Sequence, residues 1–311
     1  MVALSNPKTA IVIPVFNRRE ITLRCLEKLF SSAAMDTCVI VVDSGSTDGT
    51  QQAISEKYPQ VILLQADPSA WWAAATNIGI KKAMSSGCKY VLTCNDDNLV
   101  SPDILHKLIS VAEVHPGSIV AATICDLNHN DTVIFSGRKR SQLTDRFSYM
   151  NHFQSYNTMQ KGLREVDLLH GKSTLFPVSV FESTGLFDEE NFPHLFADDD
   201  LVLRAKHNGY RLLVDLDTVV LNDLTATGLN PYDRRPGISD IIGLFTSRKS
   251  AFQITTRTRF LWRHRRSAVS FVITWCADYL RLMCIIMLRW LVTDRMYRKI
   301  EQYYLRLVTI L

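Results

Sequence analysis

The sequence predicts an α/β protein built on a doubly wound, mostly parallel sheet. Two observations carry this: short apolar runs alternate with stretches of helical period, and polar residues stand directly after each apolar run. The first run, Ala10 to Ile13, is followed by an amphipathic segment from Glu20 to Ser31. Val39 to Val42 leads into the turn-rich Asp43-Ser-Gly-Ser-Thr-Asp-Gly49, a helical pattern from Thr50 to Lys57 and a run from Val61 to Leu64. A helix over Thr76 to Met84 and a strand over Tyr90 to Thr93 repeat the unit. Parallel strands need crossover helices, which cover both faces of the sheet, and ligands then lie beyond the carboxyl ends of the strands. At those ends stand Asn17 and Arg18, Asp43, Gln65 and Asp67, and Asn95-Asp-Asp-Asn98, which together predict one polar crevice.

The region from 126 to 166 is polar and weakly periodic, with Asn128-His-Asn-Asp131 and Arg138-Lys-Arg140, and reads as loops and short strands over the site. Pattern returns from Leu175 to Leu186. Asp198-Asp-Asp200 then opens a helix that runs through Lys206 and ends at Gly209, with Asp199 or Asp200 spaced to cap its start. A strand over Arg211 to Leu221 and a connection over Gly228 to Gly237 complete a catalytic domain of residues 1–240, leaving 241–311 as a helical, basic extension.

With 311 residues, 47% apolar and 21% charged, the chain buries a large core, which excludes disorder as its class. The net charge of +4 conceals an asymmetry: 22 Lys/Arg against 28 Asp/Glu up to residue 240, and 13 against 3 after it, or −6 and +10. Such an extension meets something anionic, phospholipid or nucleic acid. It reads as helix from Ser267 to Arg289, with Ser267, Thr274, Asp278, Arg281 and Arg289 on one side of the wheel and Val272, Trp275, Tyr279, Leu282 and Ile286 elsewhere. Its uncharged runs, 11 residues over 267–277 and 7 over 282–288, fall short of the roughly 20 that a spanning helix needs. The reading is therefore an interfacial helix on an anionic membrane surface, with a hairpin packed on the catalytic domain or on a second subunit of a homo-oligomer as the alternative. The apolar face and the lack of a reading motif set nucleic acid aside.

Seven scattered cysteines without a Cys-x-x-Cys pair fit reduced thiols. The first residues show no secretory pattern. The expected location is cytoplasmic, on the inner face of the cell membrane.

Asp96 and Asp97 supply the hard oxygen ligands with which a divalent cation holding a diphosphate is bound; acids in such positions also serve as plain turn residues. In Asp198-Asp-Asp200, three adjacent carboxylates exceed what capping needs, and their repulsion favours a general base. A nucleotidyltransferase would need a glycine-rich loop after the first strand, whereas residues 15 to 20 read Val-Phe-Asn-Arg-Arg-Glu.

Taken in order, Ile11-Val-Ile-Pro-Val-Phe-Asn-Arg18, Val41-Val-Asp-Ser-Gly-Ser-Thr-Asp-Gly-Thr50, Trp71-Trp-Ala-Ala-Ala-Thr-Asn-Ile-Gly79, Asn95-Asp-Asp97, Gly185-Leu-Phe-Asp-Glu189 and Ala197-Asp-Asp-Asp-Leu201 with Arg204 resemble the inverting glycosyltransferases of family 2 over residues 8 to 225. The resemblance implies a GT-A fold and a nucleoside-diphosphate sugar donor, of UDP or dTDP type. It places Asp43 on the base, with Pro14, Phe16, Arg18, Trp72, Asn77 and Asp96 also on the nucleotide sugar. Asp97, helped by Asp96, is implied to hold a divalent cation, Mn or Mg, and Asp198 to be the catalytic base. Phe192-Pro-His-Leu-Phe-Ala-Asp198 with Trp71 and Trp72 is similar to rhamnosyl- and galactofuranosyltransferase-like members that act on bacterial surface polysaccharides such as lipopolysaccharide. That likeness implies a glycan or lipid-linked glycan acceptor contacted by Trp71, Lys172, His194 and Asp199. Three positions depart from the family pattern: Asn95 for the first metal-motif acid, Ala197 for a Glu, and Asn222 for a metal-binding His. They leave a degenerate scaffold, docked on membrane or partner enzymes, as the alternative function.

Overall fold

The computed structural model describes residues 9–31, 37–129, 131–142, 144–223, 236–292 and 296. The first half repeats strand and helix: β1 (Thr9–Val15), α1 (Arg19–Leu29), β2 (Thr37–Asp43), α2 (Thr50–Lys57), β3 (Ile62–Gln65), α3 (Trp72–Ser85) and β4 (Tyr90–Thr93). There follow β5 (Asn98–Leu99), α4 (Pro102–Val114), β6 (Ser118–Asp126), β7 (Val133–Phe135), β8 (Arg138–Arg140), β9 (Phe147–Tyr149), β10 (Leu163–Glu165), β11 (Thr174–Pro177), α5 (Val178–Thr184), α6 (Ala197–His207) and β12 (Arg211–Asn222). The extension contributes α7 (Ile238–Thr246), α8 (Ile254–Arg263) and α9 (Ala268–Leu291).

The main sheet runs β10-β12-β6-β11-β4-β1-β2-β3, with β5 beside β12 and β7 beside β6. β1 pairs in parallel with β2 and β4, β2 with β3, and β6 with β12, as the alternating pattern predicts. Between the two parallel halves lies β11, antiparallel to both β4 and β6. β1 and β2 are apolar almost without a break because helices cover both faces. Gly79 on α3 shows how close that cover is: a Cβ there would stand 2.3 Å from Val12 Cγ1.

α3 begins at Trp72, four residues before the expected start, since Trp72-Ala-Ala-Ala continues the helix without a breaker. Asp48 organises the first turn, accepting from Arg19 N at 3.0 Å and Thr50 N at 3.1 Å, so one side chain serves the starts of α1 and α2. α6 corrects an expectation. Neither Asp199 nor Asp200 caps it; the N-cap is Phe196, held at φ 68 with its ring stacked 4.8 Å from that of Phe260. Both acids are instead drawn inward to arginines. The connection over Gly228 to Arg235 lies outside the described residues.

The extension is packed on the catalytic body: Phe260 and Leu261 of α8 join the main core, and α7 crosses residue 240 as a continuous helix. The buried stripe of α9 is Ser270, Thr274, Asp278, Leu282, Ile286 and Arg289, so much of the wheel's polar side faces the protein, joined by Leu282 and Ile286 from its apolar side, while Arg281 and most of the apolar side face out.

Candidate active site

The carboxyl ends of β1, β2 and β4 carry the predicted crevice. Asp43 ends β2 in register with Val15 of β1 and is fully buried. Its Oδ1 accepts from Gly45 N at 2.8 Å, Ser46 N at 2.7 Å and Gln51 Nε2 at 3.0 Å, while Oδ2 is buried without a partner. A buried carboxylate oxygen with no donor is costly unless a ligand supplies one, and an N–H of a nucleotide base has the right chemistry. Pro14 of β1 pairs with Val42, the residue before Asp43, and Phe16, just past the end of β1, is 51% exposed and available to stack on a base.

After β4, all four carboxylate oxygens of Asp96 and Asp97 face protein donors. Arg18 bridges the pair, Nη1 to Asp96 Oδ1 at 2.7 Å and Nη2 to Asp97 Oδ2 at 3.2 Å. Thr22 Oγ1 lies 3.4 Å from Asp96 Oδ2, and Asn222 Nδ2 donates to Asp97 Oδ1 at 2.8 Å. Burial pushes the Asp96 carboxyl up to about 7, against the pull of Arg18. Asn95 accepts from Trp72 Nε1 at 2.9 Å, which fixes the indole across the mouth of the site.

Asp198, in the first turn of α6, accepts from Gly171 N at 2.6 Å through Oδ2, and its Oδ1 takes part in no hydrogen bond among the described residues. The Gly171 backbone fits between this acid and Trp72, since a Cβ there would lie 2.7 Å from Trp72 Cη2 and 3.0 Å from Asp198 Cβ. Gly171→Ala should therefore displace one or both, lowering turnover roughly tenfold while costing about 1–3 kcal/mol of stability; steady-state kinetics and thermal melting check this. Beside Asp198 stand His194, its ring 5.5 Å from that of Trp71, and Lys172, whose Nζ is 3.5 Å from Asn222 Oδ1. Burial, reinforced by Lys249, holds His194 below its ordinary value, so the ring is neutral at pH 7, with Nδ1 buried and unpartnered.

Asp199 and Asn77 are both held by protein partners. Asp199 is buried and paired with Arg138 Nη1 at 3.2 Å. Asn77 is buried too, bonded through Nδ2 to Phe187 O at 2.9 Å and Glu189 Oε2 at 2.7 Å, and accepting from Phe187 N at 3.0 Å. It fastens α3 to the Gly185–Glu189 turn. Burial pushes the Asp199 carboxyl up to about 6, Arg138 opposing and Asp198 adding. Because this folded-state value is raised above 3.8, the group's stability contribution is full below about pH 4 and is lost as pH rises through about 6. Melting temperatures of the wild type should show that step, and Asp199→Asn should show a smaller one, the remainder coming from Asp96.

Residues 10–185 match the family model described as glycosyl transferase family 2, more than half of the chain. The chain belongs to glycosyl transferase family 2. Among curated relatives, an uncharacterized glycosyltransferase of Rickettsia bellii is 26% identical over 191 residues, 59% of this chain and 25% of that protein. The succinoglycan biosynthesis protein ExoA of Rhizobium meliloti is 25% identical over 214 residues, 67% of this chain and 61% of that protein. The family 2 chain thus spans less than two thirds of either relative. Solved structures agree on the fold. S. aureus TarS in complex with UDP-GlcNAc superposes with a TM-score of 0.51 at 16% identity, covering 73% of this chain and 63% of that one. GalNAc-T7 with UDP, GalNAc and Mn2+ gives 0.56 at 11%, covering 87% and 54%. Both support the GT-A architecture of this family 2 chain.

The family match ends at residue 185, before Asp198, and does not extend to that residue. Sequence reasoning missed Arg138 as the partner of Asp199, because it lies in a stretch without periodicity. It also missed His170, whose buried Nε2 lacks a partner one residue from Gly171 and which burial holds well below its ordinary value. The only signal for His170 was its place in Leu169-His-Gly-Lys-Ser173.

Among the described residues there is no group of three or more His, Cys, Asp or Glu to cage a metal. A cation that takes most of its ligands from a substrate diphosphate needs only one or two carboxylates. Asp97 and Asp96 would be the carboxylates to supply them, since each oxygen can accept more than the single bond it has here.

Proposed function

We propose that this chain is an inverting glycosyltransferase. It moves a sugar from a UDP- or dTDP-type donor to a hydroxyl of a glycan or lipid-linked glycan acceptor in bacterial surface polysaccharide synthesis, of which lipopolysaccharide is one example. The observation that carries the reading is Asp198: a carboxylate oriented by the Gly171 amide, with a second oxygen left open beside Trp71, Trp72 and His194. The relative named for succinoglycan biosynthesis and the TarS structure with UDP-GlcNAc support the substrate class.

In this reading Asp43 Oδ2 accepts an N–H of the base, Phe16 stacks on it with Pro14 behind, and Arg18 neutralises diphosphate charge next to Asp96. Trp72 shapes the sugar pocket. On the acceptor side Trp71 provides an apolar platform, while neutral His194 and Lys172 orient the hydroxyl. Asp198 removes the hydroxyl proton as the oxygen attacks the anomeric carbon, and the nucleoside diphosphate leaves from the opposite face, which inverts that carbon. A divalent cation, Mn or Mg, held by Asp97 and Asp96 would act as a Lewis acid on the leaving diphosphate.

The three departures from the family pattern are built into the site. Asn95 positions Trp72, Ala197 is buried in the core at the start of α6, and Asn222 links Asp97 to Asn98 at 2.6 Å. The test is a screen of purified protein against UDP-, dTDP- and GDP-sugars, scoring nucleoside-diphosphate release with Mn2+ or Mg2+ and again with chelator. Release from one donor class that the chelator abolishes supports the donor and cation parts of the reading. Release that the chelator leaves untouched removes the cation, and no release with any donor or acceptor supports the scaffold.

A further inference from the structure

The large apolar side chains exposed on this protein are concentrated on one part of it. α9 turns Val272, Ile273, Leu280, Met287, Trp290 and Leu291 outward, with Leu280 67% and Leu291 79% exposed. Ile238 and Ile242 of α7 and Trp262 of α8 are exposed as well. The helix is 24 residues long, about 36 Å, with a mean hydropathy of 1.8 over its most apolar 18 residues.

Length and composition alone would let α9 cross a bilayer, but its inner stripe forbids this in the folded protein. Ser270 Oγ donates to Asp145 Oδ2 at 2.7 Å, Thr274 Oγ1 accepts from Asp145 N at 3.0 Å, and Asp278 pairs with Arg257 and, at 3.5 Å, with Arg146. A spanning helix would have to give up these contacts and carry Asp278 and Arg289 into hydrocarbon. Held by its polar side, α9 can bury its apolar side only by lying flat.

Charge selects the surface on which it lies. Arg248, Lys249, Arg259, Arg265, Arg266 and Arg281 are exposed on the same three helices and their turns. The acid that α8 and α9 contain, Asp278, is buried and paired. Arg265 is placed over the ring of Trp262, 3.6 Å from its centroid, a cation on an amphipathic aromatic as at a lipid headgroup boundary. A second copy of the chain would bring the same cations against one another, whereas anionic headgroups would neutralise them.

We propose that the outward face of α7, α8 and α9 is a monotopic docking surface for an anionic lipid bilayer. The apolar side of α9 lies at the acyl boundary and the arginines lie among the phosphates. The turn after α7 reaches the acceptor side of the site, with Arg248 5.8 Å from the ring centroid of Trp71, so docking brings a lipid-linked acceptor to the right rim; this last clause rests on the transferase reading.

The test is flotation of the full chain with vesicles of phosphatidylcholine, or of phosphatidylcholine and phosphatidylglycerol in equal parts, at low and high salt. The wild type should partition onto the anionic vesicles, less so in salt. Leu280→Glu with Met287→Glu should lower that partition about tenfold or more, by removing buried apolar area, and leave donor hydrolysis and melting unchanged. Arg265→Glu with Arg281→Glu should lower it on anionic vesicles alone. Asp198→Asn should float as the wild type does, which separates failure of docking from failure of the transferase reading. Equal partition of wild type and Leu280→Glu/Met287→Glu would overturn the proposal. So would a stable dimer that these substitutions dissociate, or vesicle binding that appears only after deletion of residues 297–311.

Discussion

Asp198→Asn should lower donor-dependent turnover by about 10²- to 10⁴-fold, the usual weight of a positioned general base, with little change in apparent donor affinity. The amide keeps the size and the contact to the Gly171 N–H, so packing against Trp72 survives and the melting temperature should hold. What is lost is the open oxygen that takes the acceptor proton, and asparagine cannot replace it. A matching loss in Asp43→Ala would differ in kind. That variant removes the acceptor that reads the base and also strands Gly45 N and Ser46 N, so KM rises and stability falls. Steady-state kinetics with melting curves separates the two.

Asp200→Ala should be the most destabilising single change in α6. This fully buried carboxylate receives Arg204 Nε at 2.8 Å, Arg263 Nη1 at 3.0 Å and His264 Nε2 at 2.9 Å, the last two from the extension. Burial by itself would push its carboxyl up, but the His264 and Arg204 hydrogen bonds and charges outweigh that and hold it below the ordinary value. Its stabilising effect is therefore present above the unfolded carboxylate range and is lost as pH falls through the lowered folded value. Removing it leaves the His264 ring buried without its hydrogen-bond partner, at a cost of about 1–3 kcal/mol, or roughly 2–5 °C in melting temperature for a chain of this size. The arginines are part-exposed and remain hydrated, which keeps the figure at the low end. Asp200→Asn should recover part of the loss. The neighbouring acids of one run, Asp198 and Asp200, would then have opposite signatures, one kinetic and one structural.

The strand ends were legible because period and polarity change together there: Asp43 directly follows Val39-Ile-Val-Val42, and Asn95 to Asp97 follow the strand run that begins at Tyr90. α4 and β6 carried no such expectation, although β6 is buried over nearly its whole length. A short apolar run such as Ile119 to Ile124 has the same pattern in a buried strand and in a buried helix. The antiparallel insertion of β11 is a matter of long-range pairing, which no local period records. The contacts of Asn77 and Asp199 were not legible for a related reason: residue type marks a polar side chain, while its partner, Phe187 or Arg138, lies more than 60 residues away. The wheel of α9 separated polar from apolar correctly in outline. Which side meets the protein was decided by Asp145 and Arg257, outside the helix.

The account stands on one displacement at the anomeric carbon with Asp198 as base, and the stereochemistry of the released sugar tests it most directly. With the donor identified and water as acceptor, proton NMR at early times should show the sugar with its anomeric configuration inverted relative to the donor, and no signal above background with Asp198→Asn. A first-formed sugar that retains the donor's configuration, or release that continues undiminished in Asp198→Asn, would contradict it.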